Sequence, residues 1–176
     1  MEWKMILIHH TGAEEKDTAQ VKRYHLSRGW RDIGYNFVIE RDGKVVDGRS
    51  LYISGAHARG FNSKAIGVAL IGNFEKRLPT AQQLASLNVL LLRLVKLYNI
   101  PQDEVFGHNE KSRTLCPGKY FPMDSVKKDL AKGSKPKADK NKYWRVQTGA
   151  FNKEDNAKDY AKELNKQGIE TYVIYN

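Results

Sequence analysis

Two histidine segments and one cysteine supply the side chains with the most chemical reach in this 176-residue chain. Cys116, the only cysteine, closes the stretch His108-Asn109-Glu110-Lys111-Ser112-Arg113-Thr114-Leu115-Cys116-Pro117-Gly118. A histidine pair, His9-His10, ends the apolar run Ile6-Leu7-Ile8 far upstream. Two imidazoles and one thiolate make a three-ligand set for zinc that leaves the fourth position open to water. Structural zinc sites normally close all four positions with protein, so an open set points to hydrolytic catalysis. Successive side chains on a strand face opposite ways, so only one of His9 and His10 can share a pocket with His108 and Cys116. The residues themselves leave open which one does. A lone buried cysteine or strand histidine is more often packing than a ligand, and His108 and Cys116 lack finger spacing. The set therefore has to be weighed with the elements that carry it.

Met5 to Ile8 has the unbroken apolar pattern of a buried strand. Asp17 with Gln20 is a capping-box-like start for a helix over Thr18 to Arg28, and Gly29 is a suitable stop. Tyr35 to Glu40 and Lys44 to Val46 flank Asp42-Gly43, a strong hairpin signal. Ala65 to Phe74 is apolar on both alternations and reads as a central strand. Thr80 with Gln83 opens a long helix whose stripe is Leu84, Leu87, Leu91, Leu94, Val95 and Tyr98, with Pro101 beyond its end. A loop carries His108 to Gly118, and a short helix follows around Asp124 to Leu130. The expected fold is α/β, a central mixed β-sheet flanked by helices with the candidate ligands at strand ends and in a loop. A small C-terminal β-α-β unit is expected to follow it.

The composition is that of a globular protein, 40% hydrophobic and 28% charged. One cysteine excludes an internal disulfide framework. The N-terminus lacks the apolar region of a signal peptide, and Arg93 and Lys96 interrupt the best apolar run, so no membrane span is expected. The chain is expected to be synthesised in the cytoplasm. The net charge of +10 suggests an anionic partner, such as nucleic acid, a membrane face or a cell-wall polymer. Residues 131–176 hold ten Lys/Arg against six Asp/Glu, leaving +6 on the front part, so the excess is spread over both parts. No helix-turn-helix or RNA-type aromatic motif accompanies it, which argues against nucleic acid.

Read in order, the segments Ile8-His9-His10-Thr11-Gly12, Gly34 to Ile39, Gly55-Ala56-His57, Asn62 to Phe74, and Gly107-His108 with Thr114-Leu115-Cys116-Pro117-Gly118 resemble one family. This is the type 2 zinc-dependent N-acetylmuramoyl-L-alanine amidases, which includes phage lysozyme-like amidases and peptidoglycan recognition proteins. The resemblance covers about residues 3 to 130. It implies a Zn2+ cofactor and cleavage of the amide between the lactyl group of muramic acid and the L-alanine of the stem peptide. It assigns the metal to His9, His108 and Cys116, and turns His10 to the opposite face. Tyr35 matches the family's catalytic tyrosine. Thr114 stands where some members carry lysine and catalytic recognition proteins commonly carry threonine. A role in substrate contact is expected for His57 and Asn62, on a loop rich in Gly and Asn, and a structural role for His25.

The expected domains are a catalytic unit over 1–130, a Lys-rich linker over 131–142, and a unit over 143–176. The last, with Tyr143 to Phe151 as a strand, Lys153 to Gln167 as a helix and Ile169 to Tyr175 as a second strand, resembles half of a SPOR module, a family that binds peptidoglycan glycan strands. A single β-α-β half is too small to bury a core alone, which leaves two readings open, a homodimer through it or a truncated remnant. The expected partners are peptidoglycan and anionic wall polymers, and the expected role is that of an endolysin or autolysin acting on the wall after release from the cell. A peptidoglycan-binding protein without catalysis is the alternative.

Overall fold

The chain divides into two units, Met1–Lys137 and Ala138–Asn176. The computed structural model describes residues 1–133 and, beyond them, Lys158, Ala161 and Lys162, which are helical. Those three fall within the helix expected over Lys153 to Gln167. The rest of that helix, the linker from 134 onward, the two C-terminal strands and the expected dimer contact lie outside the described residues.

A five-stranded sheet organises the first unit, in the order β3-β2-β4-β1-β5. Its strands are β1 (Met5–His10), β2 (Phe37–Ile39), β3 (Val45–Asp47), β4 (Ala65–Leu70) and β5 (Val105–Gly107). All neighbours pair in parallel except β2 with β3, so the sheet is mixed. Those two antiparallel strands are the hairpin over Asp42-Gly43, in register Ile39↔Val45. β4 lies at the centre and is buried at every position, which its apolar run on both alternations requires. It ends at Leu70, four residues short of the expected Phe74. Gly72 turns the chain there at φ +143°, and Phe74 packs into the core rather than continuing the ladder. β5 is an additional strand just ahead of the loop expected to carry His108 to Gly118.

Helices α1 (Thr18–Ser27), α2 (Ala81–Leu97) and α3 (Met123–Ala131) complete the unit. Alternation along β1 separates two cores. Ile6 and Ile8 face a large cluster with Leu87, Leu91 and Leu94 of α2 and Val126 and Leu130 of α3. Leu7 faces the other way, toward Ala58 and Ala65. Val21 of α1 packs with Ile33, Val38 and Ile71. Each fully buried leucine contributes roughly 1.5–3 kcal/mol through removal from water, so the α2 stripe is what fixes that helix on the sheet.

The helix starts follow their caps. The Asp17 side chain accepts from Gln20 N at 2.8 Å, while the reciprocal bond goes from Lys16 N to Gln20 Oε1. Thr80 and Gln83 form a complete capping box. Gln83 does more than cap: it is fully buried, and its Nε2 donates to the carbonyls of Ile71 (2.9 Å) and Ile39 (3.3 Å). It thereby ties α2 to the ends of β4 and β2. Gln83→Leu keeps the approximate volume and leaves those carbonyls without this donor. The expected cost is about 1–3 kcal/mol, read as a lower urea midpoint at unchanged m. An unchanged midpoint would show that the bridge contributes nothing.

Candidate metal centre

Parallel pairing brings the ligand candidates together before any loop is considered. β1 and β5 run side by side with Ile8 opposite Gly107, so His9 and His108 are the next residues at the same carboxyl edge. Sites in open α/β sheets form at this edge, where chain ends diverge and leave room. His9 shares its face with Leu7, away from α2 and α3, and is 1% exposed. Its ring centroid lies 4.5 Å from that of His108. His10 takes the other face, where its Nδ1 accepts from Phe74 N at 3.1 Å. The alternation thus selects His9.

Cys116 reaches the same point on a loop docked onto the turn after β4. Asn109 N donates to Cys116 O (2.7 Å) and Tyr120 N to Phe74 O (2.9 Å). Gly118 is needed for that docking. Its φ is +106°, and a Cβ there would lie 2.4 Å from the Phe74 carbonyl carbon. Cys116 Sγ stands 3.6 Å from His9 Nδ1. One ligand atom from each of His9, His108 and Cys116 falls within 4.8 Å of the others.

Those donors fit zinc. With arms near 2.0 Å to nitrogen and 2.3 Å to sulfur, a tetrahedral N···S edge is roughly 3.5 Å, and the His9–Cys116 separation is 3.6 Å. Burial, with neighbouring His57 and His108, holds the His9 pKa well below its ordinary value, and burial lowers His108 as well. Both imidazoles are therefore neutral lone-pair donors at pH 7. Burial pushes the Cys116 thiol up to about 12, so it becomes a thiolate ligand only beside a cation.

Tyr35 precedes β2 on the same side of the sheet, with its ring centroid 5.3 Å from that of His9. Burial, and then the nearby Cys116, raise its pKa, so its hydroxyl keeps its proton. Asn36 fixes this segment: it is 1% exposed, and its Oδ1 accepts from Gly67 N while its Nδ2 donates to Arg49 O. Thr114 Oγ1 accepts from Cys116 N at 3.2 Å, which joins it to the ligand loop.

His57 and Asn62, expected at the substrate, are partly buried and make hydrogen bonds within the protein. His57 Nδ1 lies 3.1 Å from His9 Nε2, and its Nε2 lies 3.1 Å from Ala65 O. Burial lowers its pKa to about 4. Asn62 Oδ1 accepts from both His57 N and Ala58 N at 2.8 Å, closing a turn. His25 is buried, accepts from Gly34 N, and stacks on Trp30 at 4.5 Å.

Sequence reasoning passes over Glu110 and Asn36. Glu110 Oε1 accepts from Gly107 N at 2.7 Å and its Oε2 pairs with Lys127, holding the turn that presents His108. The signal is present, since an acidic residue three positions after a turn start is the capping pattern. Asn36 carries none, because its partners lie far away in the chain.

The chain is similar to known proteins in sequence and fold. A peptidoglycan-recognition protein of Drosophila melanogaster is 36% identical over 134 residues, covering 71% of this chain and 73% of that protein. The N-acetylmuramoyl-L-alanine amidase of Homo sapiens is 40% identical over 101 residues, 56% of this chain and 18% of the human protein. Among solved structures, N-acetylmuramoyl-L-alanine amidase LysC from Clostridium intestinale URNW superposes with a TM-score of 0.71 at 37% identity, covering 74% of this chain and 87% of that one. A SPOR domain family model matches residues 140–176. The N-acetylmuramoyl-L-alanine amidase family model matches residues 1–119, and with the sheet and the His9–His108–Cys116 cluster the chain belongs to that family.

Proposed function

We propose that this chain is a zinc-dependent amidase that hydrolyses the bond between the lactyl group of muramic acid and L-alanine in peptidoglycan. The observation that carries the reading is the convergence of three donor atoms within 4.8 Å, with the Tyr35 ring beside them, in a member of an amidase family. When bound by His9, His108 and Cys116, zinc supplies a Lewis acid that polarises a carbonyl and lowers the pKa of water to about 7.

The remaining steps belong to the chain. His9 and His108 donate lone pairs, and Cys116 gives up its proton on ligation. Tyr35, whose hydroxyl stays protonated, donates a hydrogen bond to the oxyanion that develops on the scissile carbonyl. Thr114 contributes a weaker donor at the same place. The buried surroundings of His9 and Tyr35 strengthen each of these interactions by excluding water.

The wider role follows the same reading. The 131–142 segment links the catalytic unit to a wall-binding unit over 143–176, and the basic charge suits work among anionic wall polymers. The enzyme serves as an endolysin or autolysin that acts on the wall after release. The second reading, a peptidoglycan binder without turnover, is favoured by the relatives named as recognition proteins. Among the described residues no helix is long and apolar enough to cross a membrane.

Purified peptidoglycan incubated with the full chain should release new L-alanine amino termini, and a zinc chelator should abolish the release. Zinc-loaded protein that releases none would support the binder. Cys116→Ser should lose most of the bound zinc and the activity, measured by metal analysis and amine release; full zinc retention would contradict the ligand assignment. Tyr35→Phe should keep zinc and fold while turnover falls about 10²–10³-fold. Unchanged turnover would reduce Tyr35 to a packing residue.

A further inference from the structure

His57 has no place in the ligand set, yet four separate features of the fold hold its ring. A Cβ on Gly67, in the central strand, would lie 2.5 Å from His57 Cδ2, and one on Gly55 would lie 2.6 Å from the same atom. Side chains at either position would occupy the ring's slot. The Asn62 side chain closes the turn by accepting from His57 N and Ala58 N. The fourth is the Ala65 carbonyl, 3.1 Å from His57 Nε2.

A carbonyl oxygen only accepts, so His57 Nε2 carries the ring proton. The neutral ring then has a lone pair on Nδ1, and the group 3.1 Å from it is His9 Nε2. For that contact to be a hydrogen bond, His9 Nε2 must be the donor. The proton of His9 is thereby committed to Nε2. Its Nδ1 is left as a lone pair, and Nδ1 is the atom 3.6 Å from Cys116 Sγ.

We infer that His57 is a positioning residue that locks His9 in the Nε2–H tautomer and so aims the Nδ1 lone pair at the space shared with His108 and Cys116. Its purpose rests on the zinc reading proposed above, while its geometry does not. The chain Ala65 O, His57, His9 is a two-step relay in which one backbone acceptor decides the protonation of a ring beyond its own reach. Partners of this kind typically change metal affinity by about 10–100-fold when removed.

Two measurements on the full chain test it. In metal-free wild-type protein, long-range ¹H–¹⁵N correlation of the histidine rings should report His9 and His57 each protonated at Nε2. A His9 protonated at Nδ1 would overturn the inference, and this result needs no variant to fold. Zinc affinity by chelator competition supplies the second. His57→Phe fills the slot without an acceptor and should bind zinc about 10–100-fold more weakly than wild type. His57→Asn, whose Oδ1 falls near the Nδ1 position, should recover most of that loss. Equal affinities of wild type and His57→Phe, with both folded by circular dichroism, would overturn the assignment. Wild-type protein that binds no zinc would sink the zinc reading instead, and the tautomer spectrum would still decide the role of His57.

Discussion

Parallel pairing of β1 with β4 on one side and β5 on the other is the constraint on which the site depends. Six consecutive register pairs, Met5↔Ala65 through His10↔Leu70, hold β1 against β4. Three more, Ile6↔Val105 through Ile8↔Gly107, hold it against β5. Because the side-chain period of a strand is two, a one-residue slip would exchange the faces of His9 and His10. It would also send Ile6 and Ile8 out of the cluster with α2 and α3. The packing of the core and the aim of His9 are thus set by the same register. The sheet cannot bury its leucines and isoleucines correctly without also facing His9 toward His108 and Cys116.

Burial then sets the chemistry at that edge. His9, His57 and His108 all have their pKa values lowered by desolvation, and Cys116 has its thiol raised. Without an ion every group in the cluster is neutral. This is the state in which three imidazoles can lie close together without mutual repulsion. It also means that a divalent cation would meet two ready lone pairs and one thiol, with a single proton to release. Tyr35 shares the dry environment. Its raised pKa keeps the phenol a donor, which suits stabilisation of a developing negative charge rather than nucleophilic attack.

Much of this is legible in the residues. Helix starts at Asp17 and Thr80, the hairpin over Asp42-Gly43, and the central placement of β4 each follow from local chemistry, and each is where the pattern puts it. β5 is not legible. Three residues, Val105-Phe106-Gly107, make no period, and they become a strand only because the edge of β1 is free to pair with them. The end of β4 departs from its apolar pattern for a related reason: Ile71 and Phe74 extend that pattern past the strand because both pack in the core. At the site, the choice of His9 over His10 needs the register. The ring contacts of His57 are not legible either, because its two partners, His9 and Ala65, are 48 and 8 positions away. Long-range pairing of side chains leaves no local trace in a sequence.

The remaining question is whether such a site is built to cut or only to hold. A groove that merely binds a glycopeptide gains from exposed hydrogen-bonding groups and apolar walls. It gains nothing from a half-buried thiol pushed up to about 12, since a neutral thiol is a weak hydrogen-bonding group. Nor does it gain from a relay that determines which nitrogen of a 1%-exposed histidine is protonated. Both features have value when the lone pairs are to be spent on a metal. The Tyr35 ring stands beside that same point, with a hydroxyl that burial keeps protonated. Binding alone would leave thiol, relay and half-buried phenol unexplained, whereas the proposed metal-assisted amide hydrolysis would use all three.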